Sequence, residues 1–178
     1  NIGRTIVVSP DASIETLARD LRAATDQPFA LNLWVSDHDP GGYPFPKEAF
    51  DAVWPVFEPY FREYGLDRPE PAARYHPRFE DQVEAILAVQ PRVFSFVFGV
   101  PDRAILEACR DRDILTLGAA TTLAEAEALA DAGVDIVLAT GFEAGGHRPA
   151  FLEPAEANLV GTLPLTRQIA AHLRVPVI

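Results

Sequence analysis

Residues 135 to 147, Asp-Ile-Val-Leu-Ala-Thr-Gly-Phe-Glu-Ala-Gly-Gly-His, join an apolar run ending at Thr140 to a glycine-rich turn and one histidine. In α/β proteins, ligands bind and catalytic side chains gather at the carboxyl ends of strands. Gly145 and Gly146 lack a Cβ, so the backbone there can pass close to a flat or phosphorylated ligand. His147 is the side-chain type best suited to moving a proton near neutral pH. The combination points to an enzyme with His147 as its catalytic residue rather than an idle loop histidine. Glu143 reads as a carboxylate that braces the loop.

Other reactive residue types fit plainer roles. Asp37-His38-Asp39 has metal-ligand chemistry, but adjacent residues seldom converge on one ion. A solvated turn beside Pro40-Gly-Gly is expected there, and no metal site. His76 reads as a surface residue, and His172 as an exposed or half-buried position on an amphipathic helix. Cys109 lies in a helical pattern and suits a small core residue better than a nucleophile. Ser95 sits inside a strand without a nucleophile elbow, so serine hydrolase chemistry has no support. Neither a Walker loop nor a dinucleotide-binding glycine fingerprint occurs.

The chain that must position these residues has 178 residues, 48% of them hydrophobic, enough to bury a sizeable core as a single domain or part of one. A net charge of −11 disfavours nucleic acid and anionic membrane surfaces as partners. No apolar stretch approaches the roughly 20 residues of a membrane helix, and no signal peptide is visible. One cysteine cannot form an internal disulfide, which fits the cytoplasm.

Helical spacing is present at Ile14, Leu17, Ala18 and Leu21, with start signals at Ser9-Pro10-Asp11. Strands are expected at 29–35, 93–98, 114–117 and 135–140, with the start of another at 175–178. Helices are expected between them at 79–89, 101–112, 122–132 and 163–173, with Thr121 or Thr122 capping the third and Gly133 stopping it. A proline-rich excursion occupies 36–78. Within it Phe50 to Tyr64 keep helical spacing, and Pro55 and Pro59 should kink or split the helix. These aromatics suit core or subunit contact better than a cofactor box, which leaves a homodimer open.

Alternating short strands and helices imply α/β architecture with parallel βα units covered on both faces. Four strands and the start of a fifth are fewer than a closed TIM (β/α)8 barrel needs. The expectation is therefore a central portion of such a barrel, about strands 3 to 7, in preference to a complete doubly wound domain.

Gly141-Phe-Glu-Ala-Gly-Gly-His147-Arg148, preceded by Ala132-Gly-Val-Asp135, resembles the signature of the nitronate monooxygenases, also called 2-nitropropane dioxygenases. Asp26 to Leu33, Pro91 to Gly99 and Thr116 to Thr121 resemble further family segments in order and spacing. The FMN-dependent enoyl-acyl-carrier-protein reductases carry a close Glu-Ser-Gly-Gly-His variant. The resemblance implies an FMN-binding TIM barrel that oxidises alkyl nitronates, and sometimes nitroalkanes, with dioxygen. It implies flavin contacts at Asn32, Thr140 and Gly145, and His147 as general base or as the group that orients a nitronate. Two positions depart from the family pattern: Thr140 where glutamine is common, and Val97 where many members have histidine. An apolar Val97 removes a polar contact from the pocket and should alter substrate choice. Two other functions remain in view: an NAD(P)H-dependent flavin reductase of quinones or enoyl thioesters, and a non-catalytic relative acting as a binding or scaffold protein. Residues 1–178 alone are not expected to hold FMN.

Overall fold

The computed structural model describes residues 6–7, 13–35, 46–71 and 77–178. Five parallel strands lie side by side in chain order: β1 (Ile6–Val7), β2 (Ala30–Trp34), β3 (Val93–Val97), β4 (Leu115–Ala120) and β5 (Ile136–Ala139). Val177 continues the series through an isolated parallel bridge to Val137. Sequential parallel order with a helix in the crossovers is the winding of a (β/α)8 barrel. The chain is α/β of this type.

The strand residues divide cleanly by face. Leu31, Phe94, Phe96 and Val137 are completely buried, at 0% exposure, on the face covered by α1 (Ile14–Ala24), α3 (Phe79–Val89), α4 (Arg103–Arg110), α5 (Leu123–Ala132) and α6 (Thr162–His172). The opposite face carries a row in strict register, Asn32 beside Ser95, Ser95 beside Leu117, and Leu117 beside Ile136. Three of that row are half-buried, and only Ser95 is buried. Packing on the helix-covered face is tight: a Cβ on Gly118 would lie 2.4 Å from Leu129 and 3.0 Å from Phe96.

Helix ends follow local chemistry. The Ser13 hydroxyl caps α1 by accepting the Thr16 N–H at 3.1 Å. Thr122 caps α5, and Gly133 ends it at φ +88°, where a side chain would be strained. The start signals at Ser9-Pro10-Asp11, and the readings at Asp37 to Gly42 and at His76, fall outside the described residues.

Three expectations need correction. A strand, β1, precedes α1; its two residues give no periodicity and are visible only through their pairing with Leu31 and Asn32. Helix α4 is shorter than 101–112, with Asp102 as its N-cap. Finally, α2 (Lys47–Glu63) is one helix that contains both Pro55 and Pro59, so the prolines do not split it. The carbonyls that lose an N–H partner belong to Asp51 and Pro55, four residues back, and both residues are exposed, so water can hydrate them.

The chain divides into two compact units, 1–36 together with 79–178, and 37–78. Within the smaller unit, the Arg68 guanidinium lies over the rings of Phe50 at 5.2 Å and Trp54 at 5.1 Å and pairs with Asp51.

Candidate functional site

Asn32 and Ser95 are cross-strand partners on the half-open face. The Ser95 hydroxyl donates to Asn32 Oδ1 at 3.0 Å, with Leu31 O a more distant acceptor at 3.4 Å. With Oδ1 toward Ser95, Nδ2 is a donor without a partner among the described residues. Trp34, two residues further along the strand, shares this face by alternation and is 45% exposed.

At the end of β5, Thr140 donates its N–H to Ala120 O at 2.9 Å. Its hydroxyl has no partner among the described residues. The turn that follows is built around Gly141: a Cβ there would stand 2.2 Å from Thr162 N and 2.5 Å from the Glu143 carboxylate. Glu143 Oε1 accepts the Thr162 N–H at 2.8 Å, at the first turn of α6. Its own backbone N–H and the Thr162 N–H hold the Glu143 carboxyl below its ordinary range, and Arg148 adds to the effect. Glu143 therefore caps a helix, which is the bracing role expected of it.

Gly145 and Gly146 are exposed, and a Cβ on either would meet nothing within 4 Å. Gly146 needs glycine for its φ of +81°, whereas Gly145 has no such backbone requirement. Open space in front of Gly145 suits close approach by a flat ligand. The loop then crosses the strand ends, and the His147 ring sits 5.1 Å from Trp34 and 6.4 Å from Phe98. Strands β2 and β5 stand three inter-strand steps apart, about 14 Å along the sheet. His147 thus reaches from the end of one strand across to another.

A buried carboxylate and a half-buried guanidinium hold this loop from behind. Glu125, 1% exposed, accepts Thr121 N–H and O–H on one oxygen at 2.7 Å each. Its other oxygen accepts the N–H groups of Phe151 at 2.6 Å and Leu152 at 3.1 Å, just beyond the histidine. Arg148 bonds the carbonyl of Asn158, and its Nε and one terminal nitrogen are buried without a partner among the described residues.

Thr140, Gly145 and His147 lie beyond the carboxyl end of β5, while Asn32 is the middle residue of β2. The structure brings His147 against β2, while Asn32 and Thr140 stand on separate strands. Sequence reasoning missed Ser95, Trp34, Phe98 and Glu125. A lone serine within Val93-Phe-Ser-Phe-Val97 was a usable signal for the first, since a buried hydroxyl needs a partner. No cluster of residues suited to a metal ion occurs among the described residues. Cys109 is buried, and desolvation pushes its thiol up to about 11, so it stays protonated and unreactive. No described helix is long and apolar enough to cross a membrane.

The family model "Nitronate monooxygenase" matches residues 6–178. The chain belongs to the nitronate monooxygenase family. A "Nitronate monooxygenase" from Paraburkholderia phytofirmans is 36% identical over 164 residues, covering 90% of this chain and 43% of that protein. A "Probable nitronate monooxygenase" from Staphylococcus saprophyticus is 33% identical, covering 89% and 44% respectively. Among solved structures, nitroalkane oxidase from Streptomyces ansochromogenes superposes with a TM-score of 0.72 at 29% identity, covering 95% of this chain and 47% of that one. FabK from Thermotoga maritima, at 19% identity and a TM-score of 0.57, shares the fold. The chain spans less than half the length of these family members.

Proposed function

We propose that the full protein is an FMN-dependent oxidoreductase that oxidises alkyl nitronates, or nitroalkanes, with dioxygen. Family membership supports the reaction class. The observation that carries the site is the Ser95–Asn32 hydrogen bond at 3.0 Å, which leaves an amide donor on the same strand that His147 approaches through Trp34.

Asn32 Nδ2 would donate to the polar edge of the isoalloxazine ring, and the bare backbone N–H of Gly145 and the hydroxyl of Thr140 would be further contacts. These groups fit a flat ligand: one donor is oriented by a neighbouring hydroxyl, and a Cβ-free stretch faces open space. FMN, when bound, supplies the acceptance of electrons and their passage to dioxygen. The protein's part is proton handling and positioning. With a nitroalkane, an imidazole nitrogen of His147 takes the proton from the carbon that bears the nitro group. With a nitronate already ionised, an imidazole N–H of His147 orients the anion instead.

The Glu-Ser-Gly-Gly-His variant that the FMN-dependent enoyl reductases carry, close to residues 143–147, supports one competing reading, NAD(P)H-dependent reduction of quinones or enoyl thioesters on the same fold. Anaerobic mixing separates the two. Bleaching of the flavin by ethyl nitronate is expected; bleaching by NAD(P)H and not by the nitronate would support the competitor.

A further inference from the structure

We infer that Trp34, Phe98 and Val97 form an apolar wall beside His147 that selects nitronates with an extended, uncharged alkyl or aryl substituent on the reacting carbon. The choice of head group rests on the nitronate reading above; the wall itself does not.

Three observations converge on this wall. Trp34 is a large aromatic residue left 45% exposed at the carboxyl end of a strand. It stands on the same strand face as Asn32, with its ring 4.9 Å from Phe98 and 5.1 Å from His147. Phe98 adopts a φ of +67°, a conformation costly for a bulky residue, and this places its ring edge-on to both Trp34 and His147. The next residue, Gly99, has a φ of +156°, and a Cβ there would come within 3.1 Å of Val35. The backbone is therefore bent at the end of β3 in a way that presents the Phe98 ring. Strain of this kind persists where the surrounding structure holds it, often at ligand sites.

Val97 completes the surface. It is the direct register partner of Trp34 and adds a branched apolar side chain beside the indole. The two rings against His147 and the Val97 side chain beside Trp34 offer aromatic and aliphatic surface and no formal charge. A substrate whose reacting carbon lies at His147 can run its substituent along Trp34 and Phe98. A second carboxylate on that substituent would lose hydration there without gaining a partner. Each methylene that lies on the wall gains the ordinary free energy of apolar burial.

The test uses the full-length flavoprotein and linear alkyl carboxylates of three to seven carbons, unreactive planar anions that mimic nitronates. Calorimetric titration of the wild type is expected to show affinity rising about threefold per methylene. In Trp34→Ala the rise should fall below about 1.5-fold, with Trp34→Phe between the two. Phe98→Gly removes the ring and relieves the backbone, so it should weaken binding of long chains without loss of thermal stability. An unchanged chain-length dependence in Trp34→Ala would overturn the wall. So would tighter wild-type binding of a dicarboxylate than of the alkyl carboxylate of equal length. Oxygen consumption with nitronates of matching length is followed in parallel. A Trp34-dependent binding series without nitronate turnover supports the wall and refutes the nitronate reading. Turnover with a chain-length preference indifferent to Trp34 refutes the wall and leaves the reading intact.

Discussion

The two faces of the sheet are made by the same strands and built to opposite ends. On the helix-covered face, Leu31, Phe94, Phe96 and Val137 have no exposure, and even the glycine at 118 is fixed by contact with Leu129 and Phe96. On the other face, Asn32 is half-buried, Leu117 and Ile136 keep some exposure, and Trp34 is largely open. Substitutions on the first face should act on stability. Those at the carboxyl edge of the second face, where the His147 ring meets Trp34, should act on ligand and chemistry.

The sharpest test of that division is His147→Ala. Turnover of nitroalkanes should fall about 10²- to 10⁴-fold, as for loss of a general base, while the melting temperature stays within error because the ring is exposed. Steady-state oxygen uptake and calorimetry check the two halves. Phe96→Ala should do the reverse, costing about 3–5 kcal/mol of unfolding free energy by chemical denaturation. Any flavin that remains bound to the folded fraction should react normally.

Glu125→Gln falls between the faces. A buried carboxylate that accepts four hydrogen bonds becomes an amide with one acceptor oxygen, leaving backbone donors at Thr121 or at Phe151 and Leu152 unmet. A loss of about 3 kcal/mol is expected, accompanied by faster hydrogen exchange at residues 151–152. Ser95→Ala is a smaller change, worth about 1 kcal/mol in stability. Its larger mark should be on flavin affinity, because Asn32 is then free to turn its amide over.

The smallest effect is one of pH. The Glu143 carboxyl titrates below its ordinary value of 4.5 in the folded state. Its cap on α6 is therefore fully present above that value and lost as pH falls through the lower, folded-state value. Exchange of the Thr162 amide should accelerate in that acidic window and become insensitive to it in Glu143→Gln.

Much of the helix-covered face was legible from the sequence. Phe94 and Phe96 alternate with less buried neighbours, Phe79 to Val89 keep helical spacing, and Thr122 and Gly133 carry recognisable cap chemistry. The bracing of the glycine-rich turn was legible too, since Glu143 accepts the Thr162 N–H as a loop-bracing carboxylate would. What stayed hidden depends on pairing between distant segments. Ser95 gains a role only from register with Asn32, β1 exists only as a partner of β2, and Trp34 meets His147 only once the loop crosses the sheet edge. Pro55 and Pro59 do not split α2, because an exposed helix face can hydrate its unpaired carbonyls.

The most direct measurement is anaerobic stopped-flow mixing of the full-length protein with ethyl nitronate, followed by absorbance. An oxidised flavin spectrum that bleaches on mixing and returns when dioxygen is admitted is the expected result. A spectrum without flavin bands, or flavin bands that the nitronate leaves unchanged and NAD(P)H bleaches, would contradict it.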